Sequence, residues 1–354
     1  MSRNTILRVG IVATLALVLL AVSADSAAQS LCGVPPADIF KSSYETGEIR
    51  PPPYVPNPAL PPDSTALMLS VTYPGDGITV GTASIQVRGT YTGPPNTGVS
   101  IRGVPALQSG TSFLSRDVAL VPGSNTFSVT VTSATGITQT VIRSVTYNAA
   151  LAPDVELKSA HPGDYAPFSV RFLPQLRRGI ANPVIERIRI DFDTDGTFEI
   201  DTTDATTRLS HRYQDAGLYL ATVELTLNDD NMGTPPVVAT ATRRVMAEDL
   251  DITRATFCHA FDRFRTNLTA QQYTAALQVF NPEVRPNYQG FINGLGANGG
   301  TLASGIGQIV DGTIGQESAQ LFLSRPIPGQ PGRFRSFPLQ FTRDGDGVWR
   351  ISAL

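Results

Sequence analysis

The stretch Ile188-Arg-Ile-Asp-Phe-Asp-Thr-Asp-Gly-Thr-Phe-Glu-Ile200 and its sequel His211-Arg-Tyr-Gln-Asp-Ala-Gly-Leu-Tyr219 decide the fold of this chain. Ile188, Ile190 and Phe192 fall on one side of a period-two pattern, with Arg189, Asp191 and Asp193 on the other. That alternation is the mark of a strand with one buried and one wet face. After the Asp and Gly turn residues, Tyr219, Ala221, Val223, Leu225 and Leu227 alternate just as cleanly with Leu220, Thr222, Glu224 and Thr226. An antiparallel β-sandwich follows for residues 153–248. This segment is acidic, with 15 Asp and Glu against 10 Lys and Arg.

The two motifs Asp191-Phe-Asp-Thr-Asp-Gly196 and His211-x-Tyr-x-x-Ala-Gly-x-Tyr219 resemble those of the polycystic-kidney-disease (PKD) domain. The chain departs from that pattern with Ile190 in place of Trp and Asp193 in place of the first Gly. The resemblance implies an immunoglobulin-like sandwich typical of surface proteins, with His211 and Tyr213 packing locally at a strand entry.

Asp191, Asp193 and Asp195 are the candidate metal ligands. Alternate carboxylates closed by Gly196 match the first half of a calcium loop. A full loop adds a bidentate Glu at position twelve, whereas position twelve here is Thr202, with Glu199 and Asp201 out of register. On a strand the three aspartates line one solvent face. The competing expectation is therefore a hairpin in which Asp and Gly simply make the turn. Calcium is the one cofactor the sequence raises; three scattered His residues argue against zinc.

Upstream, residues 65–148 carry runs of the same kind, about ten residues apart: Leu67 to Tyr73, Ile85 and Val87, Val99 and Ile101, Val118 and Leu120, Phe127 to Val131, and Val141 to Tyr147. Short strands with Thr- and Ser-rich outer faces predict a second sandwich. Tyr73-Pro-Gly-Asp-Gly-Ile-Thr-Val80, Gly98-Val-Ser-Ile-Arg-Gly-Val-Pro105 and Val121-Pro-Gly-Ser-Asn-Thr-Phe-Ser-Val129 resemble the bacterial immunoglobulin-like modules of the glucodextranase B-domain type. That resemblance implies a spacer or contact surface and no catalysis. Asp76 and Asp117 are its only carboxylates.

Residues 1–28 read as a signal peptide: Arg3 and Arg8, an apolar run from Val9 to Val22, and small residues before Gln29. The run is short for a membrane span; a retained signal anchor is the alternative. Residues 29–64 are a Pro-rich linker, with Pro51-Pro-Pro-Tyr-Val-Pro-Asn-Pro58 favouring extended polyproline II. A net charge of −3 gives no reason to expect nucleic-acid binding, and no second long apolar segment suggests a span in the mature chain. Export permits a disulfide between Cys32 and Cys258, the only two cysteines. The alternative is a tail thiol and a small buried residue in a helix.

From residue 249 the period changes. Phe257, Phe261, Phe264 and Leu268 step by four, three and four, the apolar stripe of an amphipathic helix, with Asp251 or Thr253 as its cap. Thr269-Ala-Gln-Gln272 reads as a capping box opening a second helix, and a third runs from Asn281-Pro282 to Leu295. Gly294 to Gly300 reads as a flexible break, and strands follow at about 308–315, 318–325, 334–342 and 348–353. The ending Phe341-Thr-Arg-Asp-Gly-Asp-Gly-Val-Trp-Arg-Ile351 resembles nuclear-transport-factor-two-like domains. That resemblance implies an α+β unit over 249–354, helices packed on a curved antiparallel sheet around an apolar pocket. Tyr288, Trp349 and Asp262 are the candidate pocket residues.

The expected architecture is multidomain: two all-β immunoglobulin-like sandwiches followed by an α+β domain. The expected function is a non-catalytic exported binding or adhesion protein, periplasmic, secreted or on the cell surface, meeting a protein, a glycan or a small molecule there. No Gly-x-Ser-x-Gly elbow or phosphate loop occurs. An enzymatic or small-molecule pocket in the C-terminal unit and a structural role in a surface assembly are the alternatives.

Overall fold

A computed structural model describes Cys32 and residues 58–176, 184–228, 235–330 and 333–354. The signal segment 1–28 and most of the Pro-rich linker lie outside the described residues. No described helix is long and apolar enough to cross a membrane.

Residues 68–147 form nine strands: β1 (Met68–Tyr73), β2 (Ile78–Val80), β3 (Ser84–Thr92), β4 (Gly98–Ile101), β5 (Val104–Pro105), β6 (Leu107–Ser109), β7 (Ser112–Ala119), β8 (Gly123–Thr132) and β9 (Thr138–Tyr147). They build two sheets, β1-β3-β7-β6 and β2-β9-β8-β4-β5. Alternate residues point between them: Ile85 and Val87 from β3 meet Val99 of β4 and Phe127, Val129 and Val131 of β8. Burying each such side chain contributes about 1.5–3 kcal/mol before entropy is counted. This alternation forces the two-layer solution.

Residues 155–248 repeat the plan with β10 (Val155–Ser159), β11 (Gly163–Tyr165), β12 (Phe168–Leu176), β13 (Val184–Asp191), β14 (Ile200–Thr202), β15 (Ser210–Tyr213), β16 (Gly217–Asn228) and β17 (Val237–Glu248). The sheets are β10-β12-β15 and β11-β17-β16-β13-β14. Ile188, Ile190, Val223 and Leu225 face Val170 and Phe172 across the core. In both units a short strand pairs in parallel with the last long one, β2 with β9 and β11 with β17.

The third unit opens with α1 (Leu250–Thr269), then α2 (Tyr273–Leu277), α3 (Arg285–Asn293) and α4 (Gly299–Gly305). A meander of β18 (Gln308–Ile314), β19 (Ser318–Pro326), β20 (Phe334–Arg343) and β21 (Trp349–Ala353) follows in sequential order. The apolar stripe of α1 lies on this sheet: the Phe257 ring is 4.6 Å from that of Phe341 and meets Trp349 edge-on at 5.0 Å. Phe261, Phe264 and Phe280 fill the rest of the interior.

Three local expectations are corrected. Asp249, not Asp251 or Thr253, caps α1, its Oδ1 accepting from the backbone N–H groups of Asp251 and Ile252. The capping box at Thr269 does not form, because the stripe continues to the fully buried Leu268 and the helix runs through Thr269. Thr269 instead donates its hydroxyl to the Arg265 carbonyl, and Gln271 turns the chain at φ 58°. The glycine-rich break is partly helical, and Gly299 is where α4 meets α1: a Cβ there would sit 2.2 Å from the Leu268 carbonyl oxygen.

Candidate functional site: the cleft where the three units meet

The units dock through polar groups and, between the two sandwiches, through a small buried apolar cluster of Leu107 and Leu114 with Met246. Arg343 at the end of β20 reaches both sandwiches at once. Its guanidinium donates to the Ala106 carbonyl at 2.9 Å and to the Gln108 side-chain oxygen at 2.6 Å, and lies 3.1 Å from Glu248 Oε1. The side chains of Arg343 and Glu248 are each only 5% exposed. Glu248 Oε1 also accepts from the Gln108 backbone N–H, while its Oε2 has no hydrogen-bond partner among the described residues. Asn96 of the first sandwich pairs twice with the backbone of Trp349, donating to its carbonyl and accepting from its N–H. Gly98 and Gly347 allow this approach, since a Cβ on Gly98 would lie 2.3 Å from the Gly347 carbonyl carbon.

Above this polar floor is a cleft of about 530 Å³, within the range of small-ligand sites. Its lining includes Tyr91 and Pro94 of the first sandwich, Ile252 and Thr256 of α1, and Trp349. Burial pushes the Tyr91 phenol up to about 12, so it stays protonated at neutral pH as a hydrogen-bond donor. Burial, and then the charge of Glu248, likewise raises nearby Tyr165.

Residues Ala59 to Pro62 and Thr65 close part of the cleft like a strap. Asp63 fastens it, its Oδ1 lying 3.0 Å from His259 Nε2 on α1. One residue away on the same helix, Cys258 is bonded to Cys32. The two cysteines are therefore bridged, and the bridge ties the N-terminal segment to the helix beside the cleft.

Of the three pocket residues expected in the C-terminal unit, only Trp349 borders this cleft. Tyr288 stacks on Phe280 at 4.4 Å, and its hydroxyl bonds the backbone of Leu354. Asp262 is exposed, 3.8 Å from Arg265. Tyr91, Gln108, Glu248 and Arg343 were invisible as a site in the sequence, because four separate strands supply them. The only advance signal was a Glu directly after the apolar run Val245-Met-Ala247.

The structure does gather the aspartates. Asp191, Asp193, Asp195 and Glu199 each offer an oxygen within 4.8 Å of the others. The expected common solvent face is not what brings them together: β13 ends at Asp191, which is buried, and Thr194 and Gly196 take left-handed conformations at φ 63° and 92°. Asp191 Oδ1 accepts from the Thr194 N–H at 2.6 Å and its Oδ2 from Gly196 at 2.9 Å, while Glu199 accepts from Phe192. Tyr213 donates its hydroxyl to the Phe192 carbonyl, and His211 stacks on the Phe192 ring at 4.7 Å. These carboxylates satisfy backbone donors of a tight turn. In a thermal scan, millimolar calcium after chelator is expected to move the melting temperature by no more than about 1 °C, the null result of single-site linkage. A rise of several degrees would instead show a bound ion.

No family model and no curated protein matches the chain. Solved structures similar to it are immunoglobulin- and fibronectin-III-like modules. Fibronectin(III)-like modules of Clostridium thermocellum CbhA are 12% identical, with 51% of this chain and 95% of that chain covered and a TM-score of 0.19. A tetra-tandem repeat from the extending region of a large adhesion protein is 20% identical, covering 52% and 50%, with a TM-score of 0.19. The Bacteroides ovatus SGBP-B protein, solved with a mixed-linkage heptasaccharide, is 14% identical over 51% and 47%, with a TM-score of 0.17. At these scores the likeness carries nothing about this chain's ligand.

Proposed function

We propose that this is an exported, non-catalytic binding protein that takes an apolar or aromatic small ligand, or the apolar group of a larger one, in the cleft between its first sandwich and its C-terminal unit. In this reading the two sandwiches are the glucodextranase-B-type and PKD-type modules that their motifs resemble. The last unit is a nuclear-transport-factor-two-like domain whose interior is occupied by its own aromatic side chains, so the site has moved to the junction. The observation that carries the proposal is the cleft itself: a concave apolar space with a few convergent polar groups held on rigid strands.

The test uses Nile red, a neutral apolar dye, with the full exported chain. Saturable one-to-one binding is expected, and Ile252→Trp, which fills the cleft from α1, is expected to weaken it at least about tenfold, the equivalent of losing one well-buried apolar contact surface. Equal binding by the variant, or no saturable binding, would overturn the assignment.

A further inference from the structure

The strap over the cleft is held differently on its two sides. Its downstream end belongs to the first sandwich: Thr92 donates its hydroxyl to the Ala66 carbonyl at 2.9 Å, and Leu67 packs against that sandwich's core. Just before it the chain turns on itself, with the Thr65 N–H and hydroxyl both donating to the Pro62 carbonyl. On the other side the strap meets α1. Among the described residues it makes one hydrogen bond there, between Asp63 Oδ1 and His259 Nε2 at 3.0 Å. One edge is therefore built into a sandwich, and the other is fastened by a single polar contact.

That contact is alone of its kind. His259 is the one histidine with a carboxylate within ion-pair distance among the described residues, whereas His161 and His211 lie against the Phe168 and Phe192 rings. The side chains of His259 and Asp63 are 27% and 56% exposed, so protons and salt reach the contact. The other charges around the imidazole are few. Asp262 and Arg263 flank it on α1, and Asp262 lies 3.8 Å from Arg265. Arg350 of β21 borders the small cavity beside His259 and is already held by Asp344 and Asp346. The first-sandwich residues at that cavity, Pro95, Asn96, Ala134 and Thr135, carry no charge. Asp63 is thus the group bonded to the imidazole, and the one whose hold depends on its charge.

An imidazole ordinarily changes charge between about pH 5 and 8, where a carboxylate is already ionised. With the proton the contact is an ion pair with a charge-assisted hydrogen bond. Without it the bond has a neutral donor and is weaker. The sign follows: the hold on the strap is full below the imidazole's titration and weakens as pH rises through it.

We propose that Asp63 and His259 form a pH-sensitive latch, which keeps the strap closed over the cleft in mild acid and loosens it as the pH rises. As regulation of ligand exchange this rests on the reading of the cleft as the binding site, but the latch itself is read without a ligand.

The test is acrylamide quenching of Trp349 fluorescence in the full chain. Trp349 is the only tryptophan and lines the same cleft as the strap; acrylamide is neutral, so its approach does not depend on charge. The quenching constant of the parent is expected to be about two- to fivefold larger near about pH 8 than near about pH 5.5, the size of an exposed ion pair's contribution. Asp63→Asn and His259→Gln, neither of which lines the cleft, are each expected to abolish that difference. Salt at about 1 M is expected to shrink it in the parent, because the pair is exposed and screened. A parent constant that is flat with pH or falls as pH rises, or a difference retained in both variants, overturns the latch. The dye experiment decides the other claim separately. Saturable dye binding with flat quenching keeps the binding site and removes the latch, whereas pH-dependent quenching without dye binding keeps the latch and removes the ligand assignment.

Discussion

Replacing Arg343 with methionine is expected to destabilise the chain by about 3–5 kcal/mol, the range for breaking a buried ion pair from one side. The size follows from what the side chain leaves behind. Glu248 is sealed in the same junction, keeps only the Gln108 N–H as a donor, and already has one oxygen without a partner. Without the guanidinium its carboxylate is a desolvated charge, and the Ala106 carbonyl and Gln108 side chain lose their donors. The same variant in a Glu248→Gln background removes the charge but keeps an oxygen to accept from Gln108. The double variant is therefore expected to recover part of the loss, with a coupling of about 1–3 kcal/mol between neighbouring sites. Trp349 reports the change directly, because it is the chain's only tryptophan, is 6% exposed, and has its ring centroid 5.9 Å from the Arg343 guanidinium carbon. Urea unfolding followed by its fluorescence should show an earlier transition and a red-shifted native spectrum. A loss under about 1 kcal/mol, the usual ceiling for a surface pair, would show that the units dock without this residue.

Cys32→Ser is expected to have a similarly large effect, through the unfolded chain rather than the folded one. The bridge closes a loop with a sequence separation of 226. In the chain-entropy picture a loop of that length stabilises by about 5 kcal/mol. The melting temperature should fall by about 10 °C or more, using the usual scaling for chains above 150 residues. Reductant should lower the parent to the level of the variant and leave the variant unmoved. The cleft should also respond. The strap from Ala59 to Thr65 is tied to α1 through the Asp63–His259 contact, and an exposed contact of that kind contributes at most about 1 kcal/mol, so the bridge is expected to add to its hold. Faster dye exchange in Cys32→Ser is therefore expected alongside the lower melting point. A melting temperature unchanged by reductant would contradict the role assigned to the bridge.

The two effects share a cause that the linear sequence conceals. Period-two alternation is a local property, so the strands of both sandwiches could be read directly from runs such as Phe127, Val129 and Val131 or Val223, Leu225 and Leu227. The stripe from Phe257 to Leu268 was legible for the same reason, since side chains three and four apart share a helix face. Helix ends were less legible. Asp249 and Asp251 are both chemically competent caps, and the choice depends on where β17 releases the chain. The aspartates of 191–195 were legible as a turn, but their convergence came from two left-handed residues that alternation alone does not reveal.

Composition and local period therefore determined the class of each unit: sandwich, sandwich, and helices on a sheet. They did so because burying alternate or striped apolar residues admits few solutions. Only the tertiary structure decided where the cleft lies. Glu248, Gln108, Tyr91 and Arg343 are up to 252 positions apart in the chain, and as single residues each reads as ordinary strand chemistry. They come together because three cores meet at a junction where buried ion-paired groups sit beside a small apolar contact of Leu107 and Leu114 with Met246. That depends on shape and desolvation at the junction, which no local pattern encodes.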